Sequence, residues 1–127
     1  MSCETKREQA ARLGAEGERR VADYLRRKGC IIVKRNYRDR FGEIDIIAEN
    51  ETYLIFVEVK TRSADAPVSG VEAVDSAKRR RLSRTGLAFV RRLRTNLRPR
   101  FDVAEVTVSL GQDGRESWHL RYIENAF

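Results

Sequence analysis

From Glu8 to Lys28 the residues Leu13, Gly14, Gly17, Val21, Ala22 and Leu25 recur at spacings of three and four, with Arg19, Arg20, Arg26 and Arg27 between them. That period belongs to a helix with one buried stripe, and Gly29 supplies its stop. The pattern then changes. "CIIVKRN", "GEIDIIAE" and "YLIFVEVK" are short apolar runs rich in β-branched residues, so residues 30–36, 42–49 and 53–60 are predicted strands, the last two joined by the polar turn "ENET". Helical spacing returns after the breakers Pro67 and Gly70. Val71, Val74, Lys78, Leu82, Thr85 and Phe89 form one stripe of a helix over 71–93, and Pro99 closes that segment. "RFDVAEVTVSL" and "WHLRYI" read as two further strands about the turn "GQDG". The order α-β-β-β-α-β-β predicts a single α/β domain over residues 1–127, with helices flanking a mixed central sheet.

The third strand departs from a simple core pattern. After the apolar "YLIFV" it carries Glu58 and Lys60, two residues apart and therefore on one face. If "ENET" closes a tight antiparallel hairpin, Ala48 pairs with Tyr53 or, after a slip of two, with Ile55. Either register sets Asp45 on the face of Glu58 and Lys60, with Glu43 beside them, roughly 5–8 Å from Glu58. Two carboxylates so close repel each other and resist ionisation unless a cation lies between them. A hard divalent ion, Mg²⁺ or Mn²⁺, takes oxygen ligands and completes its shell with waters and phosphate oxygens. Asp45 and Glu58 are thus candidate metal ligands, and Lys60 is the candidate ammonium that holds or polarises an attacking water. Glu18 sits at the edge of the first helix's buried stripe, where Gly14 and Gly17 would let the helix approach the sheet and bring a third carboxylate to the site. The alternative without chemistry is an ion pair between Glu58 and Lys60 at a strand end, with Glu18 capping or paired to an arginine.

Charge changes the picture further. Residues 76–101 hold ten basic side chains and no acidic one, leaving 16 basic against 19 acidic residues elsewhere, so the whole positive excess lies in this segment. Nine of the ten are Arg, whose planar fork suits phosphate. Lys78, Arg79, Arg80 and Arg84 are therefore candidate nucleic-acid contacts. Other chemistries lack their parts: His119 is the single histidine, no Gly-rich phosphate loop is present, and Cys3 and Cys30 make neither a disulfide framework nor a four-ligand zinc site. With no long apolar run and no apolar segment after the first charges, neither a membrane span nor a signal peptide is expected, and a cytoplasmic setting is.

The segments "GAEGERRVADYLRRKG", "RNYRDRFGEIDIIA", "FVEVKTRS", "GVEAVDSAKRRRL" and "RFDVAEV" followed by "IENAF" together resemble the YraN-type family of small bacterial proteins. That family in turn is similar to the restriction-endonuclease-like, PD-(D/E)xK, nuclease superfamily and to archaeal Holliday junction resolvases. The resemblance implies an αβββαβ core in which Asp45 and Glu58 bind Mg²⁺, Lys60 assists the nucleophilic water, Glu18 completes the metal's surroundings and Lys78 contacts the scissile phosphate. Ile44 stands where the superfamily's motif has proline. The expected function is metal-dependent phosphodiester cleavage, on DNA in preference to RNA and with branched structures among the substrates. A catalytically inactive nucleic-acid-binding module of the same fold is the alternative, and assembly of two copies to cut two strands is left open.

Overall fold

Thr5 starts the first helix by a reciprocal cap: its Oγ1 accepts from the Glu8 amide at 3.0 Å and donates to the Glu8 carboxylate at 3.0 Å. The chain leaves that helix through Gly29, whose φ of 88° lies in the left-handed region that glycine adopts without cost. The computed structural model describes residues 4–64 and 76–127. It contains α1 (Lys6–Arg27), β1 (Ile31–Asp39), β2 (Gly42–Glu49), β3 (Tyr53–Ser63), α2 (Ser76–Leu93), β4 (Arg98–Leu110) and β5 (Glu116–Ile123). The element order is the one read from the sequence. Residues 71–75 of the expected second helix, and the breakers Pro67 and Gly70, lie outside the described residues. Pro99 does not close a segment. It sits one residue inside β4, paired with Leu54, near a strand start where a missing N–H is tolerated.

The five strands form one mixed sheet in the order β1-β2-β3-β4-β5. β3 and β4 run parallel, connected through α2, and the other neighbours are antiparallel. Each helix covers one face. Val21, Ala22 and Leu25 of α1 pack on Ile46, Ala48, Ile55, Val57 and Val106, while Leu82 and Phe89 of α2 pack on Ile47, Leu54, Phe56 and Val103. A strand buried on both sides explains the unbroken apolar run at the start of β3.

Two details set the position of the charged residues. First, the β2–β3 hairpin takes the slipped register, Ala48 opposite Ile55 and Ile46 opposite Val57. Asn50 decides this: its side chain accepts from the amides of Thr52 and Tyr53 at 2.9 and 2.7 Å, and its own amide donates to the Tyr53 carbonyl at 3.0 Å. The turn is therefore Asn50–Tyr53, which excludes a pair between Ala48 and Tyr53. Second, alternation slips at Asp45. Ile44 belongs to the core under α2, yet Ile46, two residues on, belongs to the core under α1. On the neighbouring β1 the register shifts between Ile32 and Lys34, and Asn36 has a φ of 53°. Such irregularities bend a strand and re-aim a side chain. No helix among the described residues is long and apolar enough to cross a membrane.

Candidate functional site

β3 delivers Glu58 and Lys60 on the face that meets α2, because Phe56 before them packs under α2 while Val57 and Val59 face α1. The Glu58 side chain is 7% exposed and carries two ammoniums: Lys60 Nζ at 3.2 Å, and Lys78 Nζ from the start of α2 in a closer contact. Asp45 arrives from β2. Carrying the hairpin register on by one residue sets it opposite Glu58, but the ladder ends at Ile46 and Val57, and Asp45 Oδ2 instead accepts from the Val59 amide at 2.8 Å. The carboxylate thus reaches over the main chain of β3 beside Glu58. The strand slip at Asp45, which strict alternation does not anticipate, coincides with the end of that ladder.

Burial pushes the Asp45 carboxyl up to about 7, and the neighbouring Glu58 charge pushes the same way. The Val59 amide and Lys78 pull it down, and Glu18 adds a smaller upward push. At neutral pH this group is therefore poised between its two protonation states. For Lys78, burial works against the ammonium, but the Glu58 and Asp45 carboxylates outweigh burial and hold it above the ordinary lysine range. The cluster is one electrostatic unit of three carboxylates and two ammoniums.

Glu18 reaches this unit because Gly17 lets α1 sit directly on β3. A Cβ at Gly17 would come within 2.0 Å of Thr61 Oγ1, whereas a Cβ at Gly14 would meet nothing within 4 Å. Of the two glycines expected to permit the approach, only Gly17 does so. Glu18 itself pairs with Arg35 of β1 at 3.7 Å, a partner that sequence spacing offers no means of finding. Lys78, an expected phosphate contact, closes on Glu58 here, a long-range contact between a helix start and a strand that no local pattern encodes. Arg79, Arg80 and Arg84 are exposed on α2, away from its packed stripe. His119 is exposed on β5 opposite Thr107, and Cys30 is buried.

The donor set can be weighed against a divalent ion. Asp45 and Glu58 offer the hard oxygen ligands that Mg²⁺ or Mn²⁺ takes, and burial, followed by the nearby Glu58 charge, raises the proton affinity of Asp45. Among the described residues no three Asp, Glu, His or Cys side chains are grouped closely enough to hold a metal ion. The pair fits the chemistry of such an ion; Glu18, held by Arg35, would have to turn to join it.

The molecule is an α/β protein whose mixed sheet holds the half-buried Asp45, the buried Glu58 and two ammoniums where the start of α2 meets β3. It belongs to the Uncharacterised protein family UPF0102, whose model matches residues 17–106, a span that takes in Glu18, Asp45, Glu58, Lys60 and Lys78. The chain is 45% identical over 117 residues to a UPF0102 protein of Symbiobacterium thermophilum, covering 91% of this chain and 96% of that protein. A UPF0102 protein of Alkaliphilus metalliredigens is 43% identical over 116 residues, with 91% and 96% covered. One of Clostridium acetobutylicum is 40% identical over 115 residues, with 90% and 92% covered.

Proposed function

We propose that this protein is a divalent-metal-dependent nucleic-acid phosphodiesterase, acting on DNA before RNA, with branched DNA among its substrates. The observation that carries the reading is the meeting of Asp45, Glu58 and Lys60 at one partly buried place, beside a helix that exposes Arg79, Arg80 and Arg84. A Mg²⁺ or Mn²⁺ ion held by Asp45 and Glu58, with Glu18 nearby, would lower the pKa of a bound water and offset charge developing on the phosphate. The protein supplies the rest. Lys60, anchored on the same strand face as Glu58, orients the attacking water and steadies negative charge beside it. Arg79, Arg80 and Arg84 hold the phosphate backbone, which makes binding salt-sensitive and largely independent of sequence. Phe56, buried two residues before Glu58 on the same strand face, limits access of bulk water from the core side.

The test offers linear duplexes, single strands, flaps and four-way junctions to the wild type and to Lys60→Ala, with Mg²⁺ and then Mn²⁺. Cleavage by the wild type that falls by about 10²-fold or more in Lys60→Ala, with binding retained, is the expected result. A second reading, a binding module of the same fold without chemistry, is favoured by one specific feature: Glu58 is already neutralised by two ammoniums. Wild-type protein that binds these substrates and cuts none of them decides for that reading.

A further inference from the structure

The contact between Lys78 and Glu58 joins the start of α2 to β3. Glu58 is already paired to Lys60 within its own strand, yet it also takes an ammonium from α2. A carboxylate with 7% exposure that carries two positive partners, and has Asp45 beside it, leaves no room in its electrostatics for a third cation. If a dication joined Asp45, Glu58, Lys60 and Lys78, the group would carry a net charge of about +2, or about +1 with Glu18 counted, which a partly desolvated site opposes. One ammonium must leave. Lys60 is tethered two residues from Glu58 on the same strand face and stays within reach of it. Lys78 comes from a different element, the start of α2, and with 27% side-chain exposure it has a path to solvent along the arginine-bearing side of the helix.

Resting on the metal-site reading above, we propose that Lys78 is an internal counter-ion that competes with a divalent cation for Glu58 and is expelled when the cation binds. The freed ammonium emerges beside Arg79 and Arg80, where a phosphate of the substrate receives it. Cation and nucleic acid then favour each other's binding, because phosphate that captures Lys78 leaves Glu58 free for the cation, and linkage requires the reverse as well. Lys78 is a positioning residue in this scheme. It keeps the cation weakly held until substrate is present.

The experiment titrates Mn²⁺ by calorimetry into nucleic-acid-free protein. Lys78→Met should bind Mn²⁺ about tenfold more tightly than the wild type, Lys78→Arg should stay close to wild type, and Arg79→Gln, an equal loss of charge at an exposed neighbour, should change affinity by less than about twofold. A parallel measurement needs no variant. Acylation of Lys78 in the wild type by an amine-reactive ester, read by mass spectrometry, should rise when Mn²⁺ is added. Wild type that binds Mn²⁺ while Lys78→Met binds it no more tightly overturns the inference and leaves the metal site standing. Absence of Mn²⁺ binding in both proteins overturns the metal site and the inference with it. Should Lys78→Met fail to fold, unchanged labelling of wild-type Lys78 at saturating Mn²⁺ overturns the inference.

Discussion

Two carboxylates in this sheet, Asp102 fully buried and Asp45 half-buried, have opposite surroundings. Asp102 on β4 is fully buried and fully served: Arg100 donates to it at 3.0–3.2 Å, the Tyr122 hydroxyl at 2.5 Å and the Asn125 amide at 2.8 Å. Burial and Asp102 together hold the Tyr122 hydroxyl far above the ordinary phenol range, so it stays a donor at every accessible pH. Asp45 on β2 has one main-chain donor, a like charge at its side and a carboxyl raised to about 7. Every group around Asp102 lowers the cost of burying it. Around Asp45, Glu58 and Glu18 raise that cost while the Val59 amide and Lys78 lower it. A chain selected for stability alone builds the first arrangement, and the second is the one that the proposed cation site calls for.

The largest effect expected from this contrast is at Asp102. Asp102→Ala strips three donors of their acceptor and leaves Arg100 with Glu124 at 3.8 Å, so unfolding by urea should show a loss of about 3–5 kcal/mol. A loss under about 1 kcal/mol would erase the distinction between the two sites.

Asp45→Asn should act in the opposite direction. A carboxyl whose pKa rises from 3.8 to about 7 on folding binds its proton more tightly in the native state. Its contribution is therefore fully present below about pH 4 and is lost as the pH climbs to about 7. With chelator present, wild-type stability should fall across that window relative to Asp45→Asn, whose amide can still accept from Val59. At pH 8 the variant should be no less stable, and up to about 4 kcal/mol more so, while its Mn²⁺ affinity drops. Marked destabilisation at pH 8 would make Asp45 a structural partner like Asp102.

Smaller effects test how the site is assembled. Gly17→Ala forces a methyl into Thr61 and should cost about 1–3 kcal/mol, weakening metal binding by moving Glu18 as well, whereas Gly14→Ala should be neutral or stabilising by up to about 1 kcal/mol in thermal melts. Equal costs at the two glycines would mean that α1 does not rest on β3 through Gly17. The smallest effect on stability is expected from replacing Arg79, Arg80 and Arg84 together with Gln. The fold should be unchanged, but the slope of log affinity for duplex DNA against log salt should flatten by about 0.9 for each phosphate that an arginine no longer neutralises. An unchanged slope would move the binding surface off α2.

The contrast also marks how far the sequence could be read. Periodicity located all seven elements, and the bounds of β2 agree with the reading because glycine and "ENET" flank an apolar run on both sides. The shared neighbourhood of Asp45 and Glu58 was legible because both candidate hairpin registers have the same parity. The choice between them was not, since it rests on Asn50 accepting from two amides in its own turn. Nor was the slip at Asp45, which no glycine or proline announces. Lys78 was visible as a basic residue but not as a partner of Glu58, because the approach of a helix start to a strand is set by tertiary packing. The Asp102 network went unread for the same reason, although Arg100 and Asp102, two residues apart on a strand with Tyr122 in the next one, carry a faint signal of it.

The order in which the Asp102 donors are made has its own consequence for a ribosome-bound chain. Arg100 emerges with Asp102, but Tyr122 and Asn125 follow about twenty residues later, and Phe127, which stacks on Phe101, later still. Until then β4 can lie beside β3 only with a buried carboxylate half-served and an aromatic face uncovered. The nascent protein should hold α1 and the β1–β2–β3 meander, with Asp45 and Glu58 already side by side, while the parallel pair waits for the closing clasp. A stalled chain lacking residues 122–127 should accordingly be cut by protease in the α2–β4 region and spared in β2 and β3.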